Sequence, residues 1–177
     1  MKRSAELSDC MKFRWWLRRA WDAGNGKAIC FVMLNPSTAD AEKDDPTIKK
    51  CIGFAQAWGF SGLIVRNLYA YRATKPADLF KAMLQIDVSG AERGYKEFAD
   101  TLQADAVIVA WGAHATQTAV DRFMKATDPK PLYCLDKNKD GSPVHPLYQP
   151  ANKIPIPFAR CDQLTWQQQM QALLAPA

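Results

Sequence analysis

Short apolar runs, separated by polar and glycine-containing stretches, organise this sequence. Four of these runs have the length of a strand, and they cover Ala28–Leu34, Leu63–Leu68, Ala106–Trp111 and Pro131–Leu135. Mostly apolar runs of this length are typical of strands that are buried on both faces of a parallel sheet. The pattern therefore predicts four core strands.

Helical patterns alternate with these runs. Asp45 followed by Pro46 is typical of a helix start, because aspartate caps free backbone N–H groups and proline fits the first helical position. Apolar residues then recur at helical spacing as far as Trp58. Further helices are predicted over residues 74–83, 91–102, 113–126 and 165–174. Residues 11–21 fit either a strand or a short amphipathic helix, and residues 1–10 are expected to be a flexible arm.

Strands that alternate with helices imply right-handed crossovers and helices on both faces of a sheet. We therefore expect an α/β fold of three layers, α/β/α, around a central and mainly parallel sheet. No internal repeat, low-complexity tract or linker divides the sequence, so one domain is expected over residues 1–177.

The composition narrows the class of protein. Hydrophobic residues make up 48% of the chain and charged residues 23%, which argues against a disordered protein. No apolar run approaches the roughly 20 residues that a membrane span requires, and the first residues lack the apolar stretch of a signal peptide. We therefore expect a cytoplasmic protein that does not bind membranes.

Cysteine and histidine are too sparse to suggest a metal centre. The five cysteines stand singly, no CxxC pair occurs, and the chain has two histidines. Zinc and iron–sulfur sites need clusters of these ligands. We expect buried, reduced thiols, and neither a metal ion nor an organic cofactor.

The charge pattern indicates what kind of partner the protein binds. A net charge of +5 favours partners that carry phosphate, so nucleic acid or a nucleotide is expected. The basic residues Lys12, Arg14, Arg18 and Arg19 interleave with tryptophans between residues 15 and 21. This segment is either a solvated face above a core-facing aromatic stripe, or a basic surface that stacks single-stranded or flipped nucleotides.

Polar residues follow each predicted core strand. The segment NPSTAD at 35–40 follows the first strand, Asn67 ends the second, WGAH at 111–114 follows the third, and the loop with His145 follows the fourth. The carboxyl ends of parallel strands meet at one edge of the sheet, where α/β proteins bind ligands. We therefore expect a pocket in which Asn35, Asn67 and His145 converge.

The residues after the first strand suggest a site for a water molecule or a base. Proline fixes φ and turns the backbone, which presents Asn35 at the sheet edge, where its amide can hold a water or pair with a base. Ser37 and Thr38 supply hydroxyls, and Asp40 or Asp44 could act as a general base. The alternative is that Ser37, Thr38 and Asp40 only cap a turn or a helix.

Asn67 and the His145 loop also have structural alternatives. Asn67 ends an apolar strand, where a turn role is common. His145 stands between two prolines, and it either bonds only to backbone or donates a hydrogen bond to a developing anion. Leu147 and Tyr148 on the same loop either pack in the core or act as an intercalating wedge.

Six segments occur along the chain in the order RWWLRRAW, LNPSTAD, DDPTIKKC, NLYAYRAT, AWG and GSPVHPLY. In these segments the chain resembles a bacterial and phage family of unknown function, DUF1643. The resemblance extends from about Arg14 to Tyr148 and implies no particular reaction.

Four segments carry a second resemblance, and they are LNPS at 34–37, VRNLYAYRAT at 65–74, VIVAWGAHATQ at 107–117 and HPLY at 145–148. Their order is similar to that of the motifs of the uracil-DNA glycosylase superfamily. In that superfamily one strand ends in a proline turn that positions the hydrolytic water, another ends in an asparagine that reads the base, and a His-Pro loop supports the leaving base. Two positions depart from the pattern, because Ser37 replaces a glycine and Leu147 replaces a serine.

This resemblance implies a hydrolase that cleaves the N-glycosidic bond of a base in DNA and needs no cofactor. Asn35 would orient water, Asn67 would read the base and His145 would stabilise the departing base anion. Asp40 joins the catalytic candidates on the pattern of residues, as a general base. The residues expected to bind the base or ligand are Pro36, Ser37, Thr38, Asn67, Tyr69, Trp111 and Tyr148. The residues expected on a nucleic-acid surface are Arg14, Arg18, Arg72 and Leu147.

Two other functions stay open at this point. The chain could bind nucleic acid or a nucleotide at a degenerate site without cleaving it, or it could be a phage or mobile-element protein that acts on a partner protein through residues 14–21. Because Asn35 and His145 lie in loops at strand ends, we expect them to contribute to chemistry or binding and little to stability.

Overall fold

Seven strands and four α-helices make up the regular structure of the described residues, which are 1–21, 26–87, 98, 101, 103–161 and 165–174 of a computed structural model. The strands are β1 (Lys2–Leu7), β2 (Arg14–Ala20), β3 (Ala28–Met33), β4 (Gly62–Asn67), β5 (Ala106–Val109), β6 (Leu132–Cys134) and β7 (Ile156–Ala159). The helices are α1 (Pro46–Ala57), α2 (Pro76–Met83), α3 (Gln117–Ala126) and α4 (Trp166–Leu174), and a 3₁₀ turn, η1, covers Pro146–Tyr148.

All seven strands belong to one sheet with the order β1-β2-β4-β3-β5-β6-β7. The four central strands β4, β3, β5 and β6 are parallel, and β1, β2 and β7 add to this centre in antiparallel fashion. The four apolar runs of the sequence therefore form the parallel centre. The expected mixed α/β fold with a mainly parallel central sheet is confirmed.

Helices cover both faces of the sheet. In β3, Phe31 faces a core that includes residues of α1 and α4, and its neighbour Val32 faces a second core that includes residues of α2 and α3. Successive residues of a strand point to opposite faces, so a run that is buried on both sides has to be apolar throughout. This arrangement gives three layers, with the sheet in the middle.

The start of α1 has the predicted form. The carboxylate of Asp45 accepts a hydrogen bond from the backbone N–H of Ile48 at 2.9 Å, and Pro46 is the first helical residue. Helix α3 corresponds to the helix predicted over residues 113–126. It begins later than predicted, at Gln117, because Thr116 caps it through its hydroxyl oxygen. The predicted helix at 91–102 falls almost wholly outside the described residues.

The two ends of the sheet differ from the expectations. Residues 11–21, for which a strand and a short helix were both predicted, contain strand β2, so the strand is the correct alternative. The segment expected to be an arm contains β1, whose residues pair with β2 from Lys2 opposite Ala20 onward. Strand β7, which the sequence pattern did not predict, pairs with β6. None of the described helices has both the length and the apolar character needed to cross a membrane.

Candidate functional site

The loops after β3 and β4 lie side by side at the carboxyl edge of the sheet. Met33 at the end of β3 is in register with Asn67 at the end of β4. The pairing continues past both strands, since the backbone N–H of Leu68 donates to the Met33 carbonyl at 2.9 Å and that of Tyr69 donates to the Leu34 carbonyl at 3.0 Å. The segments that start at Asn35 and Asn67 are therefore neighbours, as the sequence predicted.

The side chain of Asn35 is bound to the neighbouring loop. Its Nδ2 donates to the carbonyl oxygens of Ala73 at 2.8 Å and Pro36 at 3.0 Å. Both amide hydrogens are thus committed to backbone, which fixes the direction of the amide group. Oδ1 of Asn35 takes no hydrogen bond from the described residues, so this half-buried side chain keeps one acceptor for a ligand or water.

Arg72 binds the same two loops from the other side. Its Nε and Nη2 donate to the carbonyl oxygens of Ser37 and Thr38, each at 3.1 Å, and its Nη1 donates to the Met11 carbonyl at 3.1 Å. We expected Arg72 on a nucleic-acid surface. The half-buried guanidinium instead orders backbone, although it still lines a cleft.

That cleft has a volume of about 410 Å³ and lies between the loop after β3 and the loop that leads into α2. Its lining consists of Ser37, Thr38, Tyr71, Arg72, Ala73, Thr74 and Asp78. Ser37 and Thr38, two of the expected ligand-binding residues, are therefore at a cleft on the carboxyl edge. Pro36, which precedes them in the turn and was also expected to bind the ligand, is buried.

Arg14 and Asn67 form a buried hydrogen-bonded pair beside these loops. Their exposed fractions are 2% and 8%, and Nη2 of Arg14 donates to Oδ1 of Asn67 at 3.3 Å. Nη1 of Arg14 donates to the Ala39 carbonyl at 2.9 Å, which brings the turn after β3 over the pair. Nε of Arg14 and Nδ2 of Asn67 are both buried and have no hydrogen-bond partner among the described residues.

The position of Arg14 corrects one expectation. We placed Arg14 on a nucleic-acid surface, but its backbone N–H donates to the Ala70 carbonyl, and this antiparallel pairing brings the side chain under the turn that contains Ala39. Burial lowers the pKa of Arg14 to about 10, and the negative charge of Asp45 opposes the shift. The guanidinium therefore stays charged at neutral pH.

His145 is held in one neutral form at the start of η1. Its Nδ1 accepts a hydrogen bond from the backbone N–H of Leu147 at 3.3 Å, so the ring hydrogen of the neutral imidazole is on Nε2. Burial lowers the pKa of His145 below its usual value, and the charge of Asp45 opposes this shift. The negative charge of Asp45 thus opposes the lowering of the pKa of both His145 and Arg14.

The two carboxylates that were expected to act as general bases, those of Asp40 and Asp44, bind other groups of the protein. Oδ1 of Asp40 accepts the backbone N–H groups of Glu42 and Lys43, both at 2.8 Å, and these hydrogen bonds lower the pKa of the Asp40 carboxyl. A carboxylate stabilised in this way is a weaker base, so the turn interpretation fits Asp40 better than the catalytic one. Asp44 pairs with the Arg19 guanidinium at 2.7 Å in a buried ion pair.

The aromatic residues divide between core and surface. Tyr69 and Trp111, both expected to stack on a base, are buried in the core between the sheet, α2 and α3. The Tyr69 hydroxyl is 2.7 Å from that of Thr116, and the Trp111 ring packs edge-on against two phenylalanines. Tyr148 is 87% exposed on η1 and is free to stack, while Leu147 beside it is half-buried.

The basic residues of β2 alternate between surface and interior. Arg18 is exposed, with its guanidinium 5.3 Å from the centre of the Trp16 ring, as expected for a surface residue. Arg19 is 1% exposed, and besides Asp44 it binds the carbonyl oxygen of Asp40 at 2.6 Å. Sequence reasoning missed Arg19 as the residue that orders the turn after β3. The period-2 alternation of a strand was the signal that could have separated Arg18 from Arg19.

The thiols have the expected character only in part, because three of the five cysteines are buried and Cys161 is half-buried. Cys30, Cys51 and Cys134 are buried, Cys10 is exposed, and all five cysteines are free. Burial raises the pKa of Cys30 to about 12, which keeps this thiol protonated and unreactive. Across the described part of the chain, no group of three or more His, Cys, Asp or Glu side chains is arranged to hold a metal ion.

Comparison with known proteins gives a family match. A family model described as "Protein of unknown function (DUF1643)" matches residues 14–147. This range starts with Arg14 in β2 and ends in η1, so it includes every element that contributes to the carboxyl edge. No curated protein and no solved structure matches the chain.

Proposed function

The chain belongs to the DUF1643 family, a family of unknown function, and from the chemistry of its site we propose that it is a hydrolase that cleaves the N-glycosidic bond of a base in DNA. The proposal concerns the carboxyl edge of the sheet. It depends on three side chains there, Asn35, Asn67 and His145.

One observation carries the proposal: each of these side chains has one polar atom committed to the protein and another without a described partner. Nδ2 of Asn35 is bound to backbone and Oδ1 is left; Oδ1 of Asn67 is bound to Arg14 and Nδ2 is left. Nδ1 of His145 accepts from backbone and Nε2–H is left. Polar groups that are oriented in advance stabilise developing charge without reorganisation, which is a main source of enzymatic rate.

The three free atoms suit the steps of N-glycosidic hydrolysis. As the bond between sugar and base breaks, its electron pair leaves with the base, and Nε2–H of His145 donates to the base as it becomes anionic. Nδ2 of Asn67 donates to an acceptor on the base. Oδ1 of Asn35 accepts a hydrogen bond from the water that adds to the sugar carbon, and the proton lost by this water is finally taken up by the base.

The hydrogen bonds of Asp40 change one part of the mechanism that the sequence suggested. Asp40 is occupied in a turn, so the water is oriented by an amide and is not deprotonated by a strong base. Such a water suffices when the sugar carbon has become oxocarbenium-like before attack. Tyr69 and Trp111 are in the core, so Tyr148 on η1 is the exposed aromatic candidate for stacking on an extruded base or its neighbour.

The test is direct release of a base. The protein is incubated with single-stranded and duplex DNA that carries uracil, thymine, hypoxanthine or other altered bases, and free base is measured by mass spectrometry beside abasic sites. We expect release with the wild-type protein and about 10²-fold slower release with His145→Gln, which removes the imidazole donor. Absence of release from every substrate contradicts the hydrolase.

A binding module without turnover is the second candidate, and the engagement of Asp40 in a turn favours it. This function predicts salt-dependent binding of DNA or nucleotide with no product. The third function, action on a partner protein through residues 14–21, has less surface than the sequence suggested, because Arg14 and Arg19 are buried.

A further inference from the structure

A second cleft opens at the carboxyl edge of the sheet, between the loop after β5 and the loop that joins β6 to β7. It has a volume of about 260 Å³. The backbone N–H of Gly112 donates to the Pro143 carbonyl at 2.9 Å, which holds the two loops together. Asn35, Asn67 and His145 are not among the residues that line this cleft, so it is a different site from the one on which the proposed hydrolase depends.

The walls of this cleft suit a small flat ring. Trp111 and Phe158 both line it, and their rings pack edge to face with centroids 5.7 Å apart and planes at 87°. Gly112 and Gly141 leave backbone uncovered in the lining, since a Cβ at either position would meet no heavy atom within 4 Å outside its chain neighbours. A ring can therefore approach the backbone closely there. The volume is below the roughly 300–1,000 Å³ of sites for drug-sized ligands, which limits the ligand to about one ring system.

The polar side chains of the lining offer acceptors. Oδ1 of Asp140 accepts hydrogen bonds from the backbone N–H of Ser142 at 3.0 Å and from its hydroxyl at 2.6 Å, while Oδ2 has no hydrogen-bond partner among the described residues. Nε2 of Gln117 donates to Oδ1 of Asp121 at 2.8 Å, which leaves Oε1 of Gln117 as an acceptor. The Asp140 carboxylate is thus held in one orientation, and both lone pairs of Oδ2 remain for donors of a ligand.

Asp140 also carries a negative charge without a counter-ion in the protein. The hydrogen bonds from Ser142 lower the pKa of the Asp140 carboxyl, so it is ionised at neutral pH. No Lys or Arg in the described part of the chain forms an ion pair with Asp140, and the ammonium of Lys137 lies over the Phe158 ring at 5.3 Å from its centre. Asp140 is exposed, so a ligand can reach Oδ2. Hydrogen bonds from N–H groups to a charged acceptor are among the strongest in proteins.

One of the four common DNA bases presents two adjacent donors at its edge. Guanine has N1–H beside its 2-amino group, whereas adenine and cytosine have an amino group beside an acceptor nitrogen, and thymine has N3–H between two carbonyls. An acceptor of the base beside Oδ2 would set acceptor against acceptor. From these contacts we propose that the cleft is a guanine-binding site, in which Asp140 accepts from N1–H and the 2-amino group while the ring packs on Trp111 and Phe158. This inference goes beyond the proposed hydrolase and does not rest on it.

The test compares nucleotides that differ at C2 of the purine ring. The probes are guanosine 5′-monophosphate with an amino group, inosine 5′-monophosphate with a hydrogen, and xanthosine 5′-monophosphate with a carbonyl. We expect wild-type protein to bind the guanosine nucleotide about tenfold more tightly than either of the others in calorimetric titration, because a hydrogen bond to a charged group is lost. A second arm replaces guanine by hypoxanthine in a single-stranded oligodeoxynucleotide, which distinguishes guanine in a DNA strand from a free nucleotide.

Asp140→Asn reverses the polarity of the ligand-facing atom and keeps the bonds to Ser142. The amide oxygen still accepts from Ser142, and the amide nitrogen donates where Oδ2 accepted. We expect this variant to remain folded by circular dichroism, to lose the preference for guanosine and to bind the xanthosine nucleotide about tenfold more tightly than the guanosine nucleotide. Asp136→Asn is the matched control, since Asp136 is on the same loop but pairs with Lys153 and is not in the lining. Its preference should equal that of the wild type.

Each outcome decides for or against guanine. A preference for guanine in either arm that Asp140→Asn abolishes or reverses, and that Asp136→Asn retains, supports the proposal. Absence of a guanine preference in both arms overturns it, and so does a preference that is unchanged in folded Asp140→Asn or equally lost in Asp136→Asn. N-methylguanidinium is the probe for an arginine of a partner protein, and binding of this probe without a guanine preference assigns the cleft to such a partner and overturns the proposal. Base release plays no part in these measurements, so their result is independent of the hydrolase.

Discussion

Asn35 and Arg72 each hold the loop that carries the other. The amide of Asn35 donates to the carbonyl oxygens of Ala73 and Tyr71, on either side of Arg72, at 2.8 and 3.5 Å. The guanidinium of Arg72 donates to the carbonyl oxygens of Ser37 and Thr38, just after Asn35. The backbone joins them as well, since the N–H of Ala73 donates to the Pro36 carbonyl at 2.8 Å. The two sides of the cleft therefore depend on each other.

This relationship changes what we expect of Asn35. From the sequence, Asn35→Ala was expected to have little effect on stability, but the loss of these hydrogen bonds should lower the free energy of unfolding by about 1 kcal/mol. Arg72→Ala is the matched control, because it opens the same pair of loops and leaves Oδ1 of Asn35 in the protein. If Oδ1 orients water, base release should fall roughly 10²-fold further in Asn35→Ala than in Arg72→Ala. If the two variants lose the same free energy of unfolding in urea and the same rate of base release, Asn35 contributes to the structure of the loops alone.

Asp40 offers a test between a turn cap and a general base. Asp40→Asn retains an acceptor oxygen for the backbone N–H groups of Glu42 and Lys43, whereas Asp40→Ala does not. We expect Asp40→Asn to keep base release within about threefold of the wild type, and Asp40→Ala to unfold about 1 kcal/mol more easily, as for loss of a cap. A general base cannot be replaced by an amide, so a drop of several orders of magnitude in Asp40→Asn would restore Asp40 to the catalytic set.

Asp44 should matter for stability, because its partner is fully buried. The Arg19 side chain is 0% exposed and that of Asp44 is 6% exposed. Removing one member of a buried ion pair leaves an uncompensated charge, so Asp44→Asn should lower the free energy of unfolding by about 3 kcal/mol. The control is Asp136→Asn, whose pair with Lys153 is much more exposed and should contribute at most about 1 kcal/mol. Chemical denaturation of both variants at one pH gives the comparison.

His145 predicts a pH dependence of stability. Burial lowers its pKa in the folded protein below the unfolded value of about 6.5, so the unfolded chain binds a proton more readily. The contribution of neutral His145 is therefore fully present above about pH 6.5 and is lost as the pH falls toward the lowered folded pKa. We expect wild-type protein to lose more stability than His145→Gln between about pH 7.5 and about pH 5. NMR titration of the two histidines, assigned with His114→Gln, checks the direction of the shift.

Tyr148 should act on binding without acting on stability. Its side chain is 87% exposed on η1, and Tyr148 directly follows Leu147, whose backbone N–H donates to the His145 ring. Tyr148→Ala should leave the melting temperature unchanged and weaken binding of single-stranded DNA by roughly tenfold, since stacking on one base is worth about 1–3 kcal/mol. Leu84→Ala is the control, because Leu84 is also 87% exposed but lies at the end of α2. Equal affinities of wild type and Tyr148→Ala would remove Tyr148 from the DNA surface.

The sequence by itself determined the centre of the fold. Runs such as Ala28–Leu34 are apolar because strands in the middle of a parallel sheet are buried on both faces. The apolar character of successive residues was therefore enough to predict these strands. The start of α1 was equally visible, because capping by Asp45 is a local interaction over three residues. The polar residues that follow these strands, Asn35 and Asn67, were placed at one edge by the parallel topology alone.

Only the tertiary structure decided the outer strands and the side-chain partners. Strands β1 and β7 have largely exposed or half-buried residues, so no apolar pattern marks them, and their pairing depends on the edges that β2 and β6 offer. Arg14 and Arg18 look alike in the sequence, but one is buried with Asn67 and the other is exposed over Trp16. A charged side chain is stable in the interior only where distant backbone carbonyls and polar groups meet it, and chain folding alone brings those groups together.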